Sequence, residues 1–176
     1  MKKLFSEIPY IKGDRLTLKK ITREDAPALG RMVASEAVYR YEPTFLFEKK
    51  YPDINYVIDH LYTECFEESI ILGIFQEDEF CGLAEFYGYK DNIHKVSIGV
   101  RLMEEYWGQG IGAETVKMMV EYLNNETDIE IIAASVLPAN KGSDNIVRKL
   151  GFSLVVQDSD EDWGYGGMTP TDKWII

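Results

Sequence analysis

The sequence predicts an α/β fold (α+β by some schemes), a single mixed, mostly antiparallel sheet with helices on both faces. Three observations carry this. First, IILGIF (70–75), FCGLAEFYGY (80–89) and IHKVSIGVRL (93–102) are strand-like runs separated only by the polar turns EDE and DN, so they read as consecutive hairpins. Second, the chain beyond residue 103 alternates helix and strand patterns, which a parallel crossover needs. Third, IEIIAASVL (129–137) is apolar almost without interruption, the pattern of a strand buried on both faces.

At the N-terminal end, RLTLKKI (15–21) alternates apolar and basic residues and reads as a strand. Thr22, with Asp25 three residues on, approximates a capping box for a helix over about 23–38, and Pro27 is early enough for a first turn. Residues 39–52, broken by Pro43 and Pro52, read as a loop. Asp53 caps a second helix, with Ile54, Val57, Ile58, Leu61 and Tyr62 at helical spacing. After the hairpins, a helix over about 110–124 presents Val116, Met119, Val120 and Leu123 on one face. A short helix spans 140–150, stopped by Gly151. FSLVVQ (152–157) and DKWII (172–176) are strands, joined through the acidic, glycine-rich DSDEDWGYGG (158–167), for which mobility is expected.

The chain of 176 residues fits one domain and can bury roughly 70% of its unfolded surface. Two cysteines, Cys65 and Cys81, form neither a disulfide framework nor a metal spacing, and two histidines are too few for a His-based metal site. Both thiols are expected reduced and partly buried, in a cytoplasmic protein. The start lacks the apolar core of a signal peptide, and no run reaches a membrane span of ~18 residues. The net charge of −11 is uneven: residues 1–50 carry 11 Lys/Arg against 7 Asp/Glu, and residues 51–176 carry 8 against 23. That balance argues against nucleic acid and favours cationic partners.

The stretch EEYWGQGIGAETV (104–116) places Gly108, Gly110 and Gly112 just before a helix. One explanation is a tight strand-to-helix junction and nothing more. A dinucleotide fingerprint is matched as a string, GQGIGA, but Met103 to Trp107 separate it from the preceding strand and no acid ends the next one. A P-loop fails because no Lys-Ser/Thr comes after the glycines. A pyrophosphate cradle fits: glycines let the unpaired N–H groups of a helix N-terminus approach phosphate oxygens, and no cation lies in 108–113. On this reading Gly108 serves the turn, and a β-carbon at Gly110 blocks the ligand without disturbing the fold.

Residues 96–123, VSIGVRLMEEYWGQGIGAETVKMMVEYL, followed by ASVLPANKGSDNIVRKLGF (134–152), resemble the GNAT N-acetyltransferase superfamily. They are similar in particular to its branch of ribosomal-protein N-terminal acetyltransferases (RimJ/RimL-like). The resemblance covers nearly all of residues 1–176 and implies one GNAT-like acyl-CoA N-acyltransferase domain. It implies acetyl-CoA as co-substrate, no metal, and an amine acceptor: a protein N-terminus, a polyamine or an aminoglycoside. A homodimer is a further expectation. The family pattern Q/R-x-x-G-x-G/A has Trp107 in its first position here. The resemblance implies that N–H groups from Gln109, Gly110, Ile111, Gly112 and Ala113 hold the pyrophosphate. It implies that backbone groups of Arg101 and Leu102 pair with the pantetheine arm at a bulged strand end, with Asn140 nearby. Lys141, Arg148 and Lys149 are the local cations for a 3′-phosphate.

Acetyl transfer to an amine needs a base, an oxyanion donor and a proton or hydrogen bond for the leaving thiolate. The tyrosine that many relatives use as acid falls at Val147, which leaves Ser143 as the donor to sulfur. The glutamate that some relatives use as base falls at Val96. With a two-residue turn at Asp91–Asn92, Glu85 pairs with Ile98, shares a face with Val96 and is the expected base. Glu42 is the second acid, a holder of the acceptor's ammonium, while Glu104 and Glu105 are expected to be exposed. The competing class is an acyl-CoA-binding sensor module without catalysis.

Overall fold

A computed structural model describes all residues, 1–176. Eight strands form one sheet in the order β1-β2-β3-β4-β5-β6-β8-β7. They are β1 (Ile11–Lys12), β2 (Leu16–Lys19), β3 (Ser69–Gln76), β4 (Glu79–Lys90), β5 (Lys95–Leu102), β6 (Ile131–Val136), β7 (Ser153–Asp162) and β8 (Met168–Ile175). Every neighbouring pair is antiparallel except β5–β6, which the crossover helix α5 (Ile111–Glu126) makes parallel.

The helices divide between the faces, as predicted. On one side α5 and α6 (Lys141–Lys149) cover Ile70, Leu72, Phe86, Val96 and Ile98 with Ile111, Met119, Leu123 and Val147. On the other, α1 (Ala26–Val33), α2 (Glu36–Tyr39), α3 (Phe47–Lys50) and α4 (Ile54–Leu61) cover Ile71, Phe75 and Leu83. Burial on both faces explains why β3 and the first half of β4 are apolar nearly throughout.

Four local expectations change. The helix over 23–38 is three pieces: a 3₁₀ turn at Arg23–Asp25, α1, and α2, restarted by the Ser35 cap. The capping pair holds at the first of these, where the Thr22 N–H donates to Asp25 Oδ2 at 2.8 Å. The loop 39–52 contains the short helix α3. The β3–β4 turn is only Glu77–Asp78, both at positive φ (50° and 65°), the two-residue geometry that matches strand twist. Finally, the first half of DSDEDWGYGG is strand: β7 continues to Asp162 and pairs with β8 up to Met168, leaving a tip at 163–167.

The register of β4 on β5 also shifts. Asp91–Ile93 forms a 3₁₀ turn with His94 left-handed, Lys90 pairs with Lys95, and the ladder is irregular between Tyr87 and Lys90. Glu85 is therefore opposite Gly99 instead of Ile98. It faces the α1–α4 side with Leu83 and Arg101, away from Val96, which is buried beneath α5.

Candidate active site

The sheet opens between its two parallel strands. β5 pairs with β6 at Lys95–Ile131, Val96–Ile132 and Ser97–Ala133, and the ladder stops there. From Ile98 onward the β6 side of β5 has no strand partner. The Met103 N–H donates to Cys81 C=O at 2.9 Å, and the Arg101 carbonyl lies so close to Gly82 that a β-carbon there would overlap it. Odd-numbered residues of β5 thus turn their backbone groups to β4, and alternation turns those of Val100 and Leu102 to the open slot. This corrects the expectation for the Arg101 backbone. The Leu102 carbonyl accepts the Trp107 indole N–H at 2.9 Å, so the residue that departs from the family pattern ties the loop to the strand end.

The glycine loop continues from that strand end. Gly108 (φ +70°) and Gly110 (φ +76°) are left-handed, which is why both positions want glycine. Gly112 is helical, and a β-carbon there would stand 3.0 Å from Ile146 Cδ1, so its absence lets α5 approach α6. The first intrahelical bond runs from the Glu114 N–H to Gly110 C=O at 3.1 Å. The N–H groups of Ile111, Gly112 and Ala113 precede it and are the unpaired donors of a 16-residue helix. Those three residues line the cleft, as do Gly108 and Gly110, whereas Gln109 does not. Its side chain donates to Glu105 C=O, and its carbonyl accepts from Arg15 Nη1 at 3.1 Å. Arg15, bound also to Glu114, braces the outside of the loop from β2's edge, which the spacing of the sequence does not reveal.

Asn140 caps α6, its Oδ1 accepting the Ser143 N–H at 3.2 Å, and both residues line the slot. Val147 is buried in the core beside them. Of the cations, Arg148 is paired with Asp144 and stacked on Trp174, and Lys141 lines the cleft.

The slot is one end of a cleft of about 1850 Å³ that passes beneath β5 to the α1–α4 face. There the chain buries a charge cluster that sequence reasoning missed. Arg101 is 3% exposed, and its guanidinium lies 2.7 Å from Glu48 Oε1, 3.2 Å from Glu48 Oε2 and 2.9 Å from Glu85 Oε2. Gly99, opposite Glu85, leaves room for the Arg101 side chain to reach back across the sheet. Glu48 is fully enclosed, with the Tyr39 hydroxyl donating to it at 3.0 Å, and its neighbours Lys49 and Lys50 disguise it in the sequence as a surface acid. The available signal was Glu85 itself: an acid in an apolar strand needs a partner, and Arg101 is the base on its face once the register is right.

Glu42 is half-buried in the wall of the same cleft. Burial pushes its carboxyl up to about 8; Arg101 pulls it down, and Glu48 and Glu85 push it up. The β7–β8 hairpin roofs this end. Asp160, Glu161, Asp162 and Trp163 line the cleft, the Trp163 carbonyl accepts the Thr44 N–H at 2.9 Å, and the Tyr165 hydroxyl donates to the carbonyl of Glu42. Glu104 and Glu105 are exposed, as expected, and both cysteines are free and buried.

A splayed parallel pair beside a glycine-led helix N-terminus, joined to an acid-bearing pocket, defines an acyl-CoA-dependent transferase site. Comparison with known proteins agrees. The chain matches the family described as "Acetyltransferase (GNAT) domain" over residues 15–153 and belongs to it. It is 28% identical over 148 residues to the uncharacterized N-acetyltransferase YoaA of Bacillus subtilis (strain 168), covering 82% of each chain. It is 28% identical over 83 residues to the [ribosomal protein uS5]-alanine N-acetyltransferase of Escherichia coli (strain K12), 46% of this chain and 43% of that one. Its fold is that of Mycobacterium smegmatis RimJ in complex with CoA-disulfide, with a TM-score of 0.84 at 18% identity over 96% and 87% of the two chains. The protein is an acetyl-CoA-dependent acetyltransferase of the GNAT fold. No helix is long and apolar enough to cross a membrane.

Proposed function

We propose that this cytoplasmic enzyme moves the acetyl group of acetyl-CoA to the primary amine of a cationic acceptor, a protein N-terminus or a small polycationic amine, by direct attack in a ternary complex. The observation that carries this reading is the continuity of the cleft: one cavity joins the β5–β6 slot to the pocket walled by Glu42 and Glu85. A nucleophile entering from the acidic end meets a thioester entering from the other with no covalent relay between them.

The residues divide the work. N–H groups of Ile111, Gly112 and Ala113 take the pyrophosphate, as a helix N-terminus takes any anion. Backbone groups of Val100 and Leu102 pair with the pantetheine arm, and Asn140 shapes the slot beside it. The Ser143 hydroxyl donates to the sulfur as the C–S bond breaks. Glu85, held by Arg101, contributes negative field toward the incoming ammonium.

The test incubates the protein with acetyl-CoA and an amine panel: spermidine, a peptide with a free N-terminal alanine, and an aminoglycoside. Free thiol is monitored with Ellman's reagent. Thiol release that depends on one of these amines is expected. Tight acetyl-CoA binding with no release from any of them would restore the sensor-module alternative.

A further inference from the structure

Resting on that acetyltransferase reading, we propose that Glu42 is the general base, its carboxylate taking the proton from the acceptor's ammonium while Glu48, Glu85 and Arg101 stay a fixed ion cluster. The charges in this pocket are out of balance. Three carboxylates surround one buried guanidinium, and two of them are bound to it: Glu48 accepts from Nη2 and lies 2.7 Å from Nε, which has no hydrogen-bond partner, and Glu85 accepts from Nη1. The Glu42 side chain makes no hydrogen bond and no ion pair, and it lines the cleft. Glu85 also lines the cleft but is held through Oε2 by Arg101, so Glu42 is the carboxylate of the three with no side-chain partner.

Its position is nevertheless held. The Glu42 N–H donates to Tyr39 C=O at 3.2 Å, and its carbonyl accepts the Tyr165 hydroxyl. The α2–α3 connection and the β7–β8 hairpin therefore fix the residue from two sides, which a proton acceptor needs to act repeatedly in one geometry.

Charge arithmetic gives the carboxyl its chemistry. With Glu48, Glu85 and Arg101 ionised the cluster carries −1, and an ionised Glu42 would make it −2 around a single guanidinium. An arriving ammonium restores −1, so the cation and the ionised Glu42 enter as a pair. The same forces place its titration at about 8, near the working range where a base both exists deprotonated and accepts readily. Glu48 and Glu85, which face it from α3 and β4, are tied to Arg101. Burial raises the Tyr39 hydroxyl on α2 and the Tyr165 hydroxyl on the hairpin, and Arg101 on β5 is held charged by its acids.

In the transfer itself, Glu42 removes one proton from R–NH₃⁺, and the amine lone pair forms the C–N bond at the thioester carbon. On collapse the C–S bond breaks, and the nitrogen's surplus proton goes to the leaving sulfur, which becomes the free thiol. Glu42 then returns its proton to solvent.

Kinetics of Glu42→Gln and Glu42→Ala test this with the best acceptor of the panel. Both are expected to lose about 100-fold or more in kcat/KM, with acetyl-CoA affinity unchanged. Formate, a small carboxylate that fits the space Ala leaves, is expected to restore part of the activity of Glu42→Ala. With an alkylamine acceptor, the acid limb of the wild-type profile lies near pH 8, because the rate rises as Glu42 deprotonates. In Glu42→Gln the limb moves to the acceptor's own titration, about 10.4 for a lysine-like amine. Either variant within about twofold of wild type, or no effect of formate, would overturn the assignment. Those outcomes leave the acetyltransferase reading standing; wild-type protein that releases no thiol removes that reading and this inference with it.

Discussion

Arg101 stands in the strand SIGVRLM, where its neighbours give no hint that its side chain, more than its backbone, matters. Its guanidinium compensates Glu48, which is 1% exposed, and Glu85, which is 8% exposed. Such a cluster adds little net stability relative to apolar residues of the same volume, because desolvation offsets most of the attraction. Breaking it is another matter, since one or two carboxylates are left without a counter-charge. Arg101→Met is expected to cost about 3–5 kcal/mol in urea denaturation. Adding Glu48→Gln and Glu85→Gln to it should recover most of that loss, although the triple variant lacks the field that guides a cation. A single variant as stable as wild type would mean that water reaches the carboxylates. Lysine is not an adequate substitute here, because a point charge cannot span Glu48 and Glu85 as a planar fork does.

At the scale of elements, the legible parts of this fold were those with strong local chemistry. The Asp53 cap, where Oδ1 accepts the N–H of Asn55 and Tyr56, the Asn140 cap and the apolar runs of β3, β4 and β6 all announce themselves. The glycine loop did too, because left-handed positions and close helix approach both demand the residue that the sequence shows. The features that stayed hidden depend on pairing over distance. The turn closes on Lys90–Lys95, two residues longer than expected, and the irregularity between Tyr87 and Lys90 takes one back. Glu85 therefore moves by one register step and to the other face from Val96, and no local feature reports that. Likewise SDED in β7 looks like loop but is held in strand by β8. The hairpin's contact with residues 40–44 offers a test. Gly164 sits at φ +84°, and a β-carbon there would overlap Thr44 Oγ1. Gly164→Ala is therefore expected to push the hairpin tip off the loop that carries Glu42. The acceptor's KM should rise several-fold while the acetyl-CoA dissociation constant is unchanged, because the cradle on α5 is at the other end of the cleft. A rise in both would show that the two ends are coupled through the sheet.

For the molecule as a whole, the decisive feature is that the β5–β6 ladder ends at Ser97, so the sheet opens at its parallel junction. In the proposed site acetyl-CoA would replace missing ladder bonds and neutralise a helix N-terminus at once, so it would bind the folded chain and find no counterpart site in the unfolded one. At one hundred times its dissociation constant, acetyl-CoA should stabilise the protein by about 2.7 kcal/mol. For a chain of 176 residues that corresponds to a rise in Tm of about 5–10 °C. Gly110→Val separates the two roles of the glycine loop. The valine loses a left-handed backbone position, at a cost of about 1–2 kcal/mol or more for a β-branched residue, so the unliganded Tm falls. This revises the expectation of an undisturbed fold, because the nearest atom to a β-carbon at Gly110 is Arg15 Nη2 at 3.7 Å and the penalty comes from φ, not from a clash. As the loop relaxes toward negative φ, the N–H groups of Ile111, Gly112 and Ala113 turn from their common focus, and the ligand-dependent rise should vanish. Thermal denaturation with and without acetyl-CoA reads both effects in one experiment. A variant with a lowered Tm that still gained the wild-type increment would move the pyrophosphate site away from this helix.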